Sequence, residues 1–301
     1  QAFAQALADE AAPNARVMIQ DYHLFLAPRM LRTLRPDLRI GHFTHTPWVS
    51  PDYIAMLPDD VAYAIVDGLL GADVVGFHTE RWAALFRATC QAVLGREPDG
   101  VSVFPLGTDP DEMNKLAFRR DVESSARVLG EAVGERQVIG RVDRTELSKN
   151  VWRGLLAYRE YTASIERLAS DIEDEFGTDD WSPMLLEIVD DYPAALALLR
   201  RSDVLFVNSV RDGMNLVVLE GLVVSEREPA VVLSREAGAA ETLGADALQV
   251  NPFDVSATAE ALHAALQMSH GERADRAGRM RAAAVRMPPT TWFKAQLDAL
   301  G

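Results

Sequence analysis

The sequence predicts an α/β protein with two doubly wound parallel-sheet domains that face a cleft. Short apolar runs alternate with longer helical patterns, and near-continuous apolar strands are typical of parallel sheets covered by helices on both faces. A polar, charged segment at 108–136 links the two halves, and the alternation then restarts. A length of 301 residues is enough for two domains of ordinary size.

The first half of the chain contains four apolar runs with the length of buried strands, at 16–20, 39–45, 73–77 and 101–107. Helical patterns separate them at 24–35, 59–71 and 80–94, and Thr79 is placed to cap the third helix. This order predicts one parallel sheet. Because the sheet starts abruptly, we expect an N-terminal portion of the domain to be missing.

The second half repeats the pattern, with strands predicted at 137–142, 203–208, 230–234 and 247–250. Helices are predicted at 257–268 and 271–285, and a last one after Pro288 and Pro289. The region 151–200 looks helical but contains no convincing strand, although a doubly wound domain would normally return to its sheet within that distance. We therefore expect residues to be omitted at the junction of Tyr161 and Thr162.

The composition argues against several classes of protein. Lys and Arg number 30 against 45 Asp and Glu, and the net charge of −15 disfavours broad nucleic-acid binding. The single cysteine, Cys90, excludes an internal disulfide and a Cys-based zinc site. No apolar run reaches the roughly 18 residues of a membrane helix, and the N-terminus lacks a secretory signal pattern. We expect a cytoplasmic protein without nucleic-acid or membrane partners.

Several common signatures are absent from the sequence. It contains no G-x-G-x-x-G fingerprint, no P-loop and no G-x-S-x-G elbow, and its histidines lack the spacing of a helical metal pair. The sequence therefore supports neither a classical NAD site nor a Walker-type NTPase, and no metal site is expected. The candidates are instead polar residues that directly follow predicted strands, because doubly wound sheets bind ligands at the carboxyl ends of their strands.

Two of these residues follow strands of the first domain. Asp21 comes directly after the run 16–20, where its carboxylate can accept hydrogen bonds from sugar hydroxyls or an amine. An N-cap for the following helix is an equally good interpretation. His45 ends the second strand and would point across the cleft, but on position alone a buried histidine held by backbone partners is slightly favoured.

A basic turn follows the first strand of the second domain. Arg144 and Lys149 lie five residues apart there, and together they suit a diphosphate because a guanidinium clamps two oxygens while an ammonium acts as a point charge. A helix beginning near Asn150 would add its dipole. A solvated charged turn is the alternative.

A helix start after the run 203–208 supplies the last candidates. The free backbone N–H groups of a first helical turn can bind hydroxyl or phosphate oxygens. Glu220 lies about two turns further on and can grip a ribose, or it is an ordinary helix carboxylate. The residues at the helix start are Asp212, Gly213, Met214, Asn215 and Leu216.

Seven segments, in order, resemble the trehalose-6-phosphate synthase family of retaining, GT-B type glycosyltransferases. They are DYHLFLAPRMLR, GHFTHTPW, LLGADVVGFHT, VFPLGTDPDEM, SDVLFVNSVRDGMNLVVLE, LSREAGAAETLG and VNPFDVSATAEALHAAL. The resemblance implies two Rossmann-like domains. The N-terminal, acceptor-side domain would comprise 1–110 and be completed by the last helix at 287–301, and the C-terminal, nucleotide-donor domain would comprise 111–286.

The resemblance also implies roles for the candidate residues. Acceptor contacts are implied for Asp21, Tyr22 and His45, with His45 also beside the donor ring. The implied catalytic residues are His45, Asp21, Arg144 and Lys149. The implied donor contacts are Arg144 and Lys149 on the diphosphate, Asp212, Gly213, Met214, Asn215 and Leu216 on ring hydroxyls and phosphate, and Glu220 on the ribose.

Some segments depart from the family pattern. The turn that reads R-L-D-Y-S-K-G in the family reads R-T-E-L-S-K-N at 144–150. The family's glycine-rich N-terminal loop and its arginine-bearing acceptor-phosphate segment are absent, so no acceptor-phosphate residues are assigned. The departures are similar to those of the pseudo-glycosyltransferases of validamycin biosynthesis. That similarity implies transfer from GDP-valienol to validamine 7-phosphate through a C–N bond with retention, giving validoxylamine A 7′-phosphate and GDP.

Two other functions stay open at this point. One is trehalose-6-phosphate synthesis from a nucleotide-glucose and glucose 6-phosphate, and the other is a non-catalytic regulator that binds sugar phosphates. The expected partners are small-molecule substrates and a second copy of the chain in a homodimer. No cofactor or metal is expected to be required, although Mg²⁺ from solution could accompany the diphosphate.

Overall fold

The computed structural model describes residues 1–144, 146–150, 170–178 and 182–301. These residues form two compact units. Unit 1 comprises Gln1–Asp109, Gly213–Leu216 and Val285–Gly301, and unit 2 comprises Pro110–Asp212 and Val217–Ala284. Both main boundaries lie within two residues of those drawn from the sequence, but the segment 213–216, expected in the C-terminal domain, belongs to unit 1.

Unit 1 is built on a four-stranded parallel sheet of order β1-β2-β3-β4. The strands are β1 (Arg16–Gln20), β2 (Arg39–Thr44), β3 (Val74–Phe77) and β4 (Val101–Val103). The helices are Ala2–Glu10, Ala27–Leu34, Pro51–Ile54, Asp59–Leu69, Glu80–Leu94 and Pro289–Ala299, with a 3-10 turn at Tyr22–Leu24. The predicted cap is confirmed, since the Thr79 side chain accepts a hydrogen bond from the backbone N–H of Trp82 at the start of Glu80–Leu94.

The two faces of this sheet are covered differently. Side chains alternate along a strand, so Ile40 and His42 share one face, and Ile40 packs there in the same buried cluster as Leu31 of the helix Ala27–Leu34. Phe43 faces the other side, where it packs against Trp292 of the last helix. The indole of Trp292 donates to the backbone oxygen of Phe104 at 3.0 Å, which fastens that helix to unit 1.

Unit 2 carries a second four-stranded parallel sheet, of order β5-β6-β7-β8. The strands are β5 (Ile139–Gly140), β6 (Val204–Val207), β7 (Ala230–Ser234) and β8 (Leu248–Val250). The helices are Pro110–Ala117, Arg120–Val133, Tyr192–Arg201, Leu216–Val224, Ala239–Leu243, Val255–Gln267 and His270–Ala284, and residues 170–176 are helical as well. No helix among the described residues is long and apolar enough to cross a membrane.

Three details differ from the sequence-based expectation. β4 ends at Val103 and is shorter than the apolar run, although the N–H of Phe104 still donates to the backbone oxygen of Phe77 at 2.8 Å. β5 spans two residues because the N–H of Val138 donates to the carboxylate of Asp203 at 3.0 Å instead of to a strand. The segment 108–136, expected to be a link, contributes two helices to unit 2.

The region 151–200 is described only in part. Neither 170–178 nor 182–200 contributes a strand to a sheet. The junction of Tyr161 and Thr162, and the helix expected to begin near Asn150, lie outside the described residues.

The close packing around Gly71 can be tested by mutation. A Cβ at this position would lie 2.2 Å from the backbone nitrogen of Arg29, so Gly71→Ala is expected to destabilise the protein by about 1–3 kcal/mol in urea denaturation. Gly130 is the matched control, because a Cβ there meets no atom within 4 Å and the helix favours alanine by about 0.5–1 kcal/mol. Equal stability of the two variants would contradict this packing.

Candidate active-site residues

Polar side chains meet at the carboxyl ends of the first three strands. His45, just after β2, places its Nε2 2.9 Å from the amide oxygen of Gln20, the last residue of β1. Its Nδ1 lies 3.3 Å from Nε2 of His78, which directly follows β3. Since an amide oxygen only accepts, Nε2 of His45 carries the proton and Nδ1 accepts from His78. Both ring nitrogens of His45 are therefore engaged by side chains, not by the backbone partners of the alternative interpretation.

Burial sets the charge of His45. Desolvation lowers the pKa of its imidazole, and the nearby carboxylate of Asp21 opposes the shift only in part. His45 is therefore neutral at pH 7, with a fixed tautomer and a fixed ring orientation.

Asp21 adopts an unusual backbone conformation at the end of β1. Its φ is 66° and its ψ is 172°, a region that residues with a side chain rarely adopt. The side chain makes no capping hydrogen bond, so the helix-cap interpretation does not account for it. Its Oδ1 is buried and has no hydrogen-bond partner among the described residues. Such an oxygen is placed to receive a donor from a ligand.

The backbone of Asp21 contacts His42, a histidine in the middle of β2. It is 1% exposed, and its Nε2 donates to the backbone oxygen of Asp21 at 3.2 Å. Burial lowers the pKa of His42 to about 4, so the ring is neutral at pH 7. Tyr22, the weaker acceptor-side candidate, is 48% exposed and stacks on the ring of His23.

In unit 2 the predicted Lys149 forms an ion pair with the predicted Asp212, and both side chains are largely buried. Asp212 also lies 3.4 Å from the hydroxyl of Ser209, which donates to the same carboxylate oxygen. The backbone oxygen of Lys149 accepts from Arg141, whose guanidinium pairs with Asp143 at 2.7 Å. Burial raises the pKa of the Asp143 carboxyl, although the charge of Arg141 opposes the shift. The result is a compact group of alternating charges after β5 and β6.

Arg144 and Lys149 have different surroundings. The Arg144 side chain is 77% exposed and pairs with Glu146 at 2.8 Å, as in the solvated-turn alternative. Asn150 explains one departure from the family turn, because its φ of 56° is one that asparagine tolerates better than most residues with a side chain. Its side chain then donates to the backbone oxygen of Pro252 at 2.7 Å.

The segment 213–216 is fixed within unit 1 by close backbone contact. A Cβ at Gly213 would lie 1.8 Å from the backbone oxygen of His45, so only glycine fits there. The indole of Trp82 donates to the backbone oxygen of Gly213 at 2.9 Å. Met214 and Asn215 are buried, and Asn215 has a φ of 75°. The absence of a side chain at Gly213 thus allows the backbone of 213–216 to pack directly against the backbone of His45.

The remaining donor-side candidates lie on the helix Leu216–Val224. Leu216 begins the helix and is 39% exposed. Burial raises the pKa of the Glu220 carboxyl. The pKa of Tyr192 is also raised, first by burial and then by the negative charge of Glu220. The sequence did not suggest this electrostatic link.

Sequence reasoning missed several residues that the structure adds to these groups. Gln20 and His78 each stand at or directly after the end of a strand, a signal that was available. The same signal was available for Arg141 and Asp143, which follow β5 and pair with each other. His42 gave no comparable signal, because it lies within β2 and its partner is Asp21 at the end of β1. No group of three or more His, Cys, Asp or Glu among the described residues could hold a metal ion.

Comparison with known proteins identifies the family. The sequence profile of glycosyltransferase family 20 matches residues 1–162 and 157–301. The chain belongs to glycosyltransferase family 20. The family match comes in two segments that meet at 157–162, around the junction of Tyr161 and Thr162 where the sequence suggested omitted residues.

Family members of known name share about a third of their aligned residues with the chain. The bifunctional trehalose-6-phosphate synthase/phosphatase of Thermoproteus tenax is 32% identical over 91% of this chain, and the match covers 43% of that protein. The validamine 7-phosphate valienyltransferase of Streptomyces hygroscopicus subsp. jinggangensis is 31% identical over 99% of this chain and 67% of its own length. The chain thus spans less than half of the first relative and two thirds of the second.

Solved structures of family members share the fold. A trehalose-6-phosphate protein from E. coli, bound with UDP-2-fluoro glucose, superposes with a TM-score of 0.89 at 27% identity. The match covers 99% of this chain and 76% of that one. The predicted fold class is confirmed, since the two four-stranded parallel sheets with their helices correspond to those of GT-B glycosyltransferases.

The lowered pKa of His42 predicts a pH-dependent stability. The unfolded chain binds a proton at His42 below about pH 6.5, whereas the folded chain does so only near pH 4, so the free energy of unfolding falls as the pH falls between these values. The contribution of His42 to this fall is up to about 3 kcal/mol. Urea denaturation of the wild type and of His42→Gln at pH 7 and pH 4.5 should show a smaller fall for the variant. His263→Gln, at an exposed histidine, should fall like the wild type.

Proposed function

We propose that the full-length protein is a retaining pseudo-glycosyltransferase. It joins GDP-valienol to validamine 7-phosphate through a C–N bond, giving validoxylamine A 7′-phosphate and GDP. The observation that carries the choice of reaction is the extent of the match to a validamine 7-phosphate valienyltransferase, which covers 99% of this chain at 31% identity, against 91% at 32% identity for the Thermoproteus tenax relative. The altered diphosphate turn at 144–150 supports the same choice over the sugar-transferring members of the family.

The buried Lys149 supports a role in stabilising the leaving group. Departure of the nucleoside diphosphate places negative charge on a phosphate oxygen, and a cation held in place beforehand stabilises that charge without reorganisation. In the protein without substrate, Asp212 neutralises this lysine. The donor diphosphate, with at least two charges, competes for the ammonium, and the freed carboxylate then accepts hydrogen bonds from the donor ring.

The exposed Arg144 plays a second part in the same event. Among the described residues its guanidinium pairs with Glu146 at the surface, where an ion pair contributes about 0–1 kcal/mol. A bidentate contact with the diphosphate is stronger than this pair. Arg144 can therefore leave Glu146 and bind the donor diphosphate with little loss of free energy.

The transfer needs no nucleophile from the protein. The C–O bond of the donor breaks as the amine nitrogen of the acceptor forms the C–N bond on the same face, which retains the configuration. The departing phosphate oxygen takes the proton that the amine loses. With the unsaturated ring of valienol, the positive charge in the transition state is allylic.

The residues of unit 1 bind and orient the reactants. The orphaned Oδ1 of Asp21 accepts a hydrogen bond from the attacking amine or from a ring hydroxyl of the acceptor, with Tyr22 beside it. His45 is neutral and engaged at both ring nitrogens, so it orients the donor ring and does not shuttle the proton. On the donor side, Glu220 binds the ribose, and the backbone of 213–216 binds ring hydroxyls and phosphate.

Trehalose-6-phosphate synthesis is the second candidate. The relative from Thermoproteus tenax and the E. coli structure with UDP-2-fluoro glucose favour it. The binding residues of the first proposal would serve it unchanged, with an oxygen nucleophile in place of nitrogen. We further propose that the protein acts in the cytoplasm as a homodimer and needs no cofactor or metal, so that a chelator leaves turnover unchanged.

An assay of the full-length protein with two substrate pairs, followed by mass spectrometry, separates the candidates. GDP-valienol with validamine 7-phosphate is expected to yield the C–N-linked product, whereas UDP-glucose or GDP-glucose with glucose 6-phosphate is expected to yield none. Trehalose 6-phosphate as the sole product would replace the first proposal with the second. Nucleotide binding without either product would favour a regulatory sugar-phosphate-binding protein.

Removing the cations of the diphosphate turn tests the donor site directly. Arg144→Ala and Lys149→Ala are each expected to weaken GDP binding by about tenfold or more in calorimetry, because each deletes charge-assisted hydrogen bonds. Binding of GMP, which lacks the second phosphate, should change less. Arg127→Ala is the matched control, because Arg127 forms a surface ion pair with Glu131 within the helix Arg120–Val133, away from the turn 144–150. GDP affinity within threefold of the wild type in a folded Arg144 variant would refute its role.

A further inference from the structure

We propose that His42 is a positioning residue, which holds the Asp21 peptide in a strained conformation that presents the Asp21 carboxylate to the acceptor. The claim that Asp21 binds the acceptor substrate rests on the proposed function. The claim that His42 maintains the conformation of Asp21 does not, and the two parts are tested separately.

The first observation is the backbone strain at Asp21. With φ at 66° and ψ at 172°, this residue occupies a region that is populated almost only by glycine. A side chain in this conformation is unfavourable, so the surrounding structure must enforce it. Strain of this kind is found mainly where a particular side-chain direction is needed.

The second observation is that hydrogen bonds from β2 hold both sides of this residue. The N–H of Asp21 donates to the backbone oxygen of Phe43 at 2.7 Å, which continues the strand pairing by one residue. The backbone oxygen of Asp21 accepts from Nε2 of His42 at 3.2 Å. The second bond comes from a side chain, so it depends on the identity of residue 42.

The third observation is the environment of His42 itself. It is 1% exposed in the face of the sheet that otherwise packs apolar side chains, and its ring lies 5.6 Å from that of Phe25. Its Nδ1 is buried without a hydrogen-bond partner among the described residues. A buried imidazole with one unmet nitrogen is costlier than a phenylalanine of similar shape. The contact with the Asp21 oxygen is what the histidine adds at this position.

The fourth observation is the consequence for the carboxylate. The enforced backbone places Oδ1 of Asp21 in a buried position without a partner. Relaxation to an ordinary φ would turn this oxygen away and relieve both the strain and the unmet hydrogen bond. His42 therefore acts through Asp21 and does not itself touch substrate.

Stability measurements test the structural part without any substrate. Glycine adopts the strained conformation freely and alanine does not, so Asp21→Gly should melt about 2–4 °C or more above Asp21→Ala. In the background of His42→Phe, where the segment can relax, this difference should shrink to less than half. His42→Leu serves as the second background if the phenylalanine variant does not fold.

Asn14 provides the matched control for this cycle. It lies in an exposed turn of the same unit and has a φ of 57°, so Asn14→Gly should also melt above Asn14→Ala. That difference should be the same with and without His42→Phe. A glycine-to-alanine difference at Asp21 that is absent, or that is unchanged in the His42 variants, would overturn the proposal.

Kinetics test the second part with the substrate pair that the wild type turns over. His42→Phe is expected to raise the KM of the phosphorylated acceptor about tenfold while the KM of the nucleotide donor stays within twofold. His42→Gln, which keeps a donor N–H at similar reach, should recover most of the loss. An equal rise in both KM values, or no recovery with glutamine, would show that His42 is merely structural. If the wild type turns over neither pair, the proposed function fails, and the melting cycle still decides the role of His42.

Discussion

The candidate site in unit 1 depends on keeping two imidazole rings uncharged, that of the buried His42 and that of the half-buried His45. Desolvation lowers the pKa of both His42 and His45, and a neutral ring offers one donor and one acceptor with fixed directions. That directionality links β1, β2 and β3 at their carboxyl ends. Protonation of His45 would turn its Nδ1 into a donor and break the hydrogen bond that it accepts from His78, and protonation of His42 would place a charge in the buried face of the sheet.

In unit 2 the candidate site is built on largely buried cations that carboxylates neutralise. The chain carries a net charge of −15, yet its proposed function requires it to attract a diphosphate. The structure places Lys149 and Arg141 in a largely enclosed group in which carboxylates balance them. Such a group keeps its cations ordered before a ligand arrives, and exchange of one anion for another costs less than ordering a free lysine. Arg144, at the surface, supplies the adaptable part of the same turn.

The sequence predicted the fold and much of the candidate site for a physical reason. In a parallel sheet the residue after each strand lies at the same edge, so apolar runs locate both the strands and the functional positions. Asp21 and His45, like Lys149 and Asp212, were found in this way. The bonds from His42 to Asp21 and from His78 to His45 were not, because they join residues 21 and 33 positions apart. The exposure of the Arg144 side chain could not be predicted either, because the local sequence does not show which side of a turn faces solvent. The roles of all these residues stay predictions.

The hydrogen bond from Trp82 to Gly213 makes the protein its own optical probe. The indole N–H of a buried tryptophan is bound to the backbone of the segment that lies against His45. Indole emission responds to the loss of such a bond and to the entry of water. Trp82 is one of five tryptophans, so the difference between the emission of the wild type and that of a Trp82→Phe variant isolates its contribution. The position of the segment 213–216 can then be followed in real time by fluorescence, without a label.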